Sequence, residues 1–83
     1  MTVCVLLFAA HREAVGSSRT EIDIPDGSTL DDLYEYLQSQ YHRLRELRSF
    51  TTFAVNREVV DSSSILHGGD EVALLQPVSG GQA

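Results

Sequence analysis

Apolar side chains fall in a few short runs with different periods. From Thr2 to Phe8 the chain is almost continuously apolar and rich in β-branched residues, which predicts a central strand covered on both faces. Ala9 to Ser18, a polar stretch holding Gly16, reads as a loop. Arg19 to Ile24 then alternates polar and apolar positions and stops at Pro25, Asp26 and Gly27, the pattern of a half-exposed strand closed by a turn. Ser28 or Thr29 can cap a helix whose first turn carries Asp31 and Asp32. Leu30, Leu33, Tyr34, Leu37 and Tyr41 follow helical spacing, leaving Asp31, Asp32, Glu35 and Gln38 to face water. Leu44 and Leu47, set among Arg43, Arg45 and Arg48, predict an irregular turn or a short second helix, with the arginines near the negative end of the first. Thr52 to Val55 and Glu58 to Val60 flank Asn56 and Arg57 as a tight hairpin. Ile65 and Leu66 make a brief apolar segment, and Gly68, Gly69 and Asp70 a turn. Glu71 to Gln76 is a last strand, ended by Pro77.

The order is strand, strand, helix, short strands, strand. A helix crossing one face of a mixed sheet, with the first strand central, is an α+β arrangement of the ubiquitin-like β-grasp type. Residues 1–78 are expected to form this domain and residues 79–83 a flexible tail with little to bury.

At 83 residues the chain has room for a single domain and little room for a large enclosed active site, so binding at an edge or a tail is favoured. Twelve acidic against six basic residues give a net charge of −6, and every basic residue is Arg. Such a chain has no clustered positive charge with which to release counterions from a phosphate backbone, which argues against nucleic acid as a partner. The same reasoning disfavours an anionic membrane surface. The longest apolar run, Val3 to Ala10, is far short of the ~20 residues that span a bilayer. A single cysteine, Cys4, fits a reducing compartment, and the cytoplasm is expected.

Chemistry-bearing residues are sparse. His11, His42 and His67 have no Cys or carboxylate at metal-ligand spacing and read as solvated or structural, and Cys4 reads as buried packing. Gly68, Gly69 and Asp70 lack the rest of a phosphate loop and make a turn. Asp31, Asp32 and Glu35 form either a solvated face or a face that meets a partner, and Arg12 with Glu13 reads as a loop ion pair. Gly80 and Gly81 are different: without side chains they can thread a channel too narrow for a Cβ atom.

Leu7 to Gly16, Ala54 to Asn56, Gly69 to Ala73 and the closing Pro77, Val78, Ser79, Gly80 and Gly81 together resemble the small subunits of molybdopterin synthase. The resemblance covers nearly the whole chain. Its block of Phe8, Ala9, Arg12, Glu13 and Gly16 separates it from the thiazole-forming, thiamine-type sulfur carriers, which share the fold and the Gly-Gly.

The resemblance implies a sulfur carrier for molybdenum cofactor biosynthesis. An E1-like enzyme would use ATP and magnesium to adenylate the carboxylate of Gly81, and a sulfur donor protein would convert it to a thiocarboxylate. Pro77, Val78, Ser79 and Gly80 would thread this terminus into the large subunit of the synthase, where sulfur passes to a cyclic pterin precursor. The chain itself would bind no cofactor and no metal. Phe8, Arg12 and Leu75 match the family's partner contact, with core packing the other reading for Phe8 and Leu75.

Gln82 and Ala83 depart from the pattern, since they follow Gly81 and block its carboxylate. Either a peptidase trims the chain after Gly81 or the last two residues are an addition. Two other readings stand beside the carrier: a ubiquitin-like modifier that forms isopeptide bonds, and a β-grasp binding module without reactivity.

Overall fold

Val3, Val5 and Leu7 are each at most 1% exposed, while Cys4 and Leu6 between them are half-buried. This period of two shows a strand covered on one face and open on the other, not covered on both as the continuous apolar run suggests. Cys4 accordingly sits half-buried on the open face instead of in the core.

The chain, described by a computed structural model over residues 1–76, forms β1 (Thr2–Leu7), α1 (Ala9–Val15), β2 (Arg19–Asp23), α2 (Leu30–Gln40) and α3 (Leu44–Leu47). A 3-10 turn at Arg48–Phe50, then β3 (Thr52–Val55), β4 (Glu58–Val60) and β5 (Glu71–Leu75) complete it. The predicted end of the domain at residue 78 and the tail of residues 79–83 lie outside the described residues, as do Pro77, Val78, Ser79, Gly80, Gly81, Gln82 and Ala83. The five strands form one sheet in the order β2-β1-β5-β3-β4, with β1 parallel to β5 and the other neighbours antiparallel. This mixed sheet, with its main helix on one face, is the predicted ubiquitin-like β-grasp.

On the covered face, Val3, Val5, Leu7, Phe53, Val72 and Leu74 pack with Leu30, Leu33, Tyr34 and Leu37 of α2 in one core cluster. Burying each Leu or Val of this kind stabilises the fold by about 1.5–3 kcal/mol. The cap of α2 is Thr29: its Oγ1 accepts from the Asp32 backbone N–H at 3.2 Å, and the Asp32 carboxylate accepts from the Thr29 N–H at 3.0 Å. Ser28 donates its hydroxyl to the Pro25 carbonyl instead, at 2.7 Å. Asp31, Asp32 and Glu35 face water, whereas Gln38 is half-buried, a departure from the helical pattern.

Arg48 does not lie at the negative end of α2. It pairs with Asp31 in the first turn, and its guanidinium stands 5.4 Å from the Tyr34 ring centroid and 5.2 Å from that of Phe53. The chain folds back along α2 after Tyr41, so that the Tyr34 hydroxyl donates to the Leu44 carbonyl at 2.6 Å.

The segment expected as a loop from Ala9 to Ser18 is a helix for most of its length. Ala9, Ala10, Arg12, Glu13 and Ala14 are all good helix formers, yet alanine contributes too little hydrophobic contrast to mark a period. Gly16, at φ 88°, ends α1 with its N–H on the Arg12 carbonyl at 2.7 Å. Phe8 is therefore the extended N-cap of α1 and not part of β1, and Ala9 takes a left-handed φ of 47° at the corner. Among the described residues neither Arg12 nor Glu13 forms an ion pair, so the expected loop pair is absent there. His11 is fully buried. Ile24 and Gln76 each fall one position beyond the strands predicted to hold them.

The hairpin turns as predicted, with Asn56 at φ 50° and Arg57 at φ 72°. The Asn56 side chain ties the turn to the next loop, accepting from the Glu71 N–H and donating to the Asp70 carboxylate, both at 3.0 Å. Arg57 carries a Cβ in the left-handed region with no such compensation. Replacing Arg57 with Gly should therefore raise the free energy of unfolding by about 0.5–1 kcal/mol, measured by urea denaturation.

Candidate functional site

Strand register sorts the residues of the open sheet face into rows. Leu6 pairs with Arg19 on one side and Ala73 on the other, Ala73 with Ala54, and Ala54 with Val59. One row thus crosses all five strands as Arg19, Leu6, Ala73, Ala54 and Val59, apolar in every strand but the edge one. Its centre is closed, with Ala54 buried and Ala73 half-buried, while Val59 at its rim is 72% exposed. In the row below, Cys4 pairs with Glu21 and Glu71. The face therefore grades from acidic to apolar toward the end where β1 and β5 finish.

At that end the predicted partner residues come together. Leu7 is level with Leu74 in the parallel pair, so one further step sets Phe8 level with Leu75. Alternation turns both toward the open face. Phe8 is 48% exposed and Leu75 half-buried beside Thr52. Core packing, the other reading for these two, does not describe them: neither belongs to the core cluster. Arg12 lies one helical turn from Phe8, with its backbone N–H on the Phe8 carbonyl at 3.3 Å, and its side chain is exposed. Leu75 is also the last strand residue before the chain leaves the sheet through Gln76 toward the segment that holds Gly80 and Gly81.

Leu6, Ala54, Val59 and Ala73 belong to this surface and were not singled out from the sequence. An apolar residue on an open strand face looks the same in a sequence as one in the core. The available signal was the length of the run: strands apolar at successive positions in a chain with one main helix must leave one face uncovered.

A groove of about 470 Å³ lies at the opposite end of the sheet, lined by exposed carboxylates of Asp23, Asp26 and Asp32 together with Tyr36. No group of three or more His, Cys, Asp or Glu is placed to hold a metal ion among the described residues, and no helix there is long and apolar enough to cross a membrane. Gly68, Gly69 and Asp70 form the predicted turn, in which the Asp70 carboxylate accepts from the His67 N–H at 2.8 Å. Convergence in the described residues is at the apolar end of the open sheet face, a surface suited to docking a partner.

Residues 5–81 match the ThiS family. The molybdopterin synthase sulfur carrier subunit of Arabidopsis thaliana is 38% identical over 77 residues, covering 93% of this chain and 80% of that protein. That of Mycobacterium tuberculosis is 39% identical over 80 residues, covering 95% and 96%. Among solved structures, SAMP1 from Haloferax volcanii, a small archaeal modifier protein, superposes with a TM-score of 0.82 at 28% identity over 98% of this chain and all of that one. A complex of subunits 1 and 2 of molybdopterin-converting factor from Helicobacter pylori contains a chain with a TM-score of 0.70 at 26% identity, with coverage of 98% and 100%.

The sheet-face assignment has a direct consequence for stability. Val59→Lys, on the open face, should change the free energy of unfolding by less than about 0.5 kcal/mol, whereas Val72→Lys, one strand position from Ala73 but in the core, should abolish the cooperative thermal transition followed by circular dichroism.

Proposed function

This chain belongs to the ThiS family, and on that premise we propose that it is the sulfur carrier subunit of a molybdopterin synthase. The observation that carries the reading is the apolar end of the sheet, where Phe8 follows β1 and Leu75 ends the neighbouring parallel strand, the point from which the sequence runs on to Gly80 and Gly81. Relatives that match over nearly the full chain are named as sulfur carriers, which supports the same assignment.

In this reading the domain supplies a surface and the tail supplies the reactive group. A peptidase first removes Gln82 and Ala83, freeing the carboxylate of Gly81. An E1-like enzyme, docked on the apolar row, then adenylates that carboxylate with ATP and magnesium, releasing pyrophosphate. A sulfur donor protein replaces the adenylate, AMP leaves, and the terminus becomes a thiocarboxylate. Sulfur is softer and more polarisable than oxygen, so the new terminus is the better nucleophile toward the cyclic pterin precursor.

The large subunit of the synthase is the second partner, and the Helicobacter pylori complex of two converting-factor subunits supports a pairing of this kind. Phe8, Leu75 and Val59 fill its apolar contact while Arg12 pairs at the rim. Pro77, Val78, Ser79 and Gly80 reach into its active site, where glycine admits close approach by backbone on every side. The cytoplasm, where thiols stay reduced, suits a carrier of this chemistry.

Similarity to an archaeal modifier protein supports a second reading, in which the same adenylate is passed to a lysine amine and forms an isopeptide bond. The intact mass of the chain isolated from its own cells separates the two. For the carrier, the mass ends at Gly81 and a fraction is heavier by about 16 Da, the exchange of one oxygen for sulfur. Conjugates on denaturing gels without that fraction would establish the modifier, and a mass retaining Gln82 and Ala83 in cells making the cofactor would establish a binding module. Phe8→Asp or Leu75→Asp should weaken binding to the large subunit by at least about thirtyfold, measured by calorimetry, the loss typical of a truncated interface anchor.

A further inference from the structure

His11 is the fully buried member of the chain's three histidines. Its Nε2 lies 2.8 Å from the Thr51 Oγ1. Thr51 has one hydroxyl hydrogen, which goes to the Leu47 carbonyl at 2.7 Å in preference to the Tyr34 hydroxyl oxygen at 3.5 Å. The imidazole must therefore donate to Thr51, which places its proton on Nε2 and leaves Nδ1 bare. Nδ1 is buried and has no hydrogen-bond partner among the described residues. The His11 to Thr51 bond is also the one side-chain hydrogen bond that ties α1 to another element there, joining it where the 3-10 turn ends and β3 begins.

A second feature lies two residues away. Ala9 stands at φ 47° between Phe8 and the body of α1, a left-handed conformation that a residue with a Cβ adopts at a cost. Such a corner persists when surrounding structure holds both sides of it. On the β1 side the sheet does so, and on the α1 side the His11 to Thr51 bond does, aided by the packing of Ala14 and Val15 on the core.

We propose that His11 is a positioning residue for the docking face: its neutral imidazole clamps α1 to Thr51 and so holds the Phe8–Ala9 corner, presenting Phe8 and Arg12 to the partner until acid releases the clamp. The docking half of this statement rests on the reading of Phe8 and Arg12 as partner contacts. The clamp itself rests on the burial and bonding of His11.

Acid sensitivity follows from what surrounds the ring. A proton on Nδ1 would create a buried cation with no acceptor. No carboxylate lies within ion-pairing distance of His11 among the described residues. Tyr34 of α2 is neutral and already donates to Leu44, and Arg48, stacked over its ring, adds positive charge. Arg12 and Glu13 of α1 and Arg45 and Glu46 of α3 are exposed. Burial pushes the His11 pKa below its ordinary 6.5. A state with α1 released takes up the proton at its ordinary pKa while the clamped state does not, so the released state gains as pH falls below 6.5 and gains nothing above it.

The test compares the wild-type chain with His11→Gln, which keeps a donor and cannot titrate, and with the pair Thr51→Val and Thr51→Ser. Amide hydrogen exchange by NMR, corrected for intrinsic rates, reports on α1 in the free chain, and calorimetry reports affinity for the synthase large subunit. On going from pH 7 to 5.5, wild-type α1 amides should lose about tenfold in protection while His11→Gln stays flat, and affinity should fall only in step with the clamped fraction of the chain. Thr51→Val should be weakened at every pH, and Thr51→Ser should behave as wild type. Parallel pH profiles for wild type and His11→Gln, or full α1 protection in Thr51→Val, would overturn the clamp. Should His11→Gln fail to fold, the Thr51 pair decides by the same α1 readout. Loss of α1 protection in acid without any binding of the large subunit would sustain the clamp and reject the docking reading.

Discussion

The parallel pairing of β1 with β5 is the contact on which this molecule depends. It joins the start of the chain to the last strand, setting Val5 against Val72 and Leu7 against Leu74 so that both pairs enter the core together. Parallel neighbours cannot be joined by a tight turn, so everything between them must serve as the connection: the antiparallel edge strand β2, the covering helix α2 and the hairpin of β3 and β4. A slip of one residue in this register would exchange core and open faces along the whole sheet.

The same pairing assembles the surface proposed for docking out of residues that have no chemistry of their own. Because β1 and β5 run in one direction they end at one edge, where Phe8 follows the last residue of β1 and Leu75 is the last residue of β5. With the main helix on the other face, no helix among the described residues covers the row from Leu6 to Val59, in which Val59 is open, Leu6 and Ala73 half-buried and Ala54 buried between its neighbours. A small domain thereby separates its tasks. One face holds the fold together, and in the proposed function the other meets the partners while Gly81, beyond the last strand, supplies the reactive group. The acidic groove stands at the far end, clear of the docking edge.

Legibility of the fold in the sequence followed the strength of each local signal. Helix α2 was plain because Leu30, Leu33, Tyr34 and Leu37 differ sharply from the carboxylates between them, and Thr29 closes a capping box with Asp32. The turn at Asn56 and Arg57 was plain because asparagine tolerates positive φ. Helix α1 was hidden because alanine and arginine favour a helix without producing an amphipathic stripe, and its one deeply buried side chain is a histidine. Arg48 was misplaced because its partner Asp31 lies 17 residues back, a distance that local charge patterns do not read. Of the candidate site, Phe8, Arg12 and Leu75 were proposed through family resemblance, whereas the placement of Leu6, Ala54, Ala73 and Val59 on the face opposite α2 required the register.

The sequence by itself determined the class of fold, the position of the main helix, the tight hairpin and the glycine pair that follows the last strand, all features carried by residues close together in the chain. Tertiary structure alone decided which face of each strand is open, that Phe8 stands beside Leu75, and that His11 is buried against Thr51. Those outcomes depend on the pairing of segments distant in the chain, 40 residues apart for His11 and Thr51. Local propensity carries no information about such pairs, because their geometry exists only once the sheet has closed and the core has excluded water.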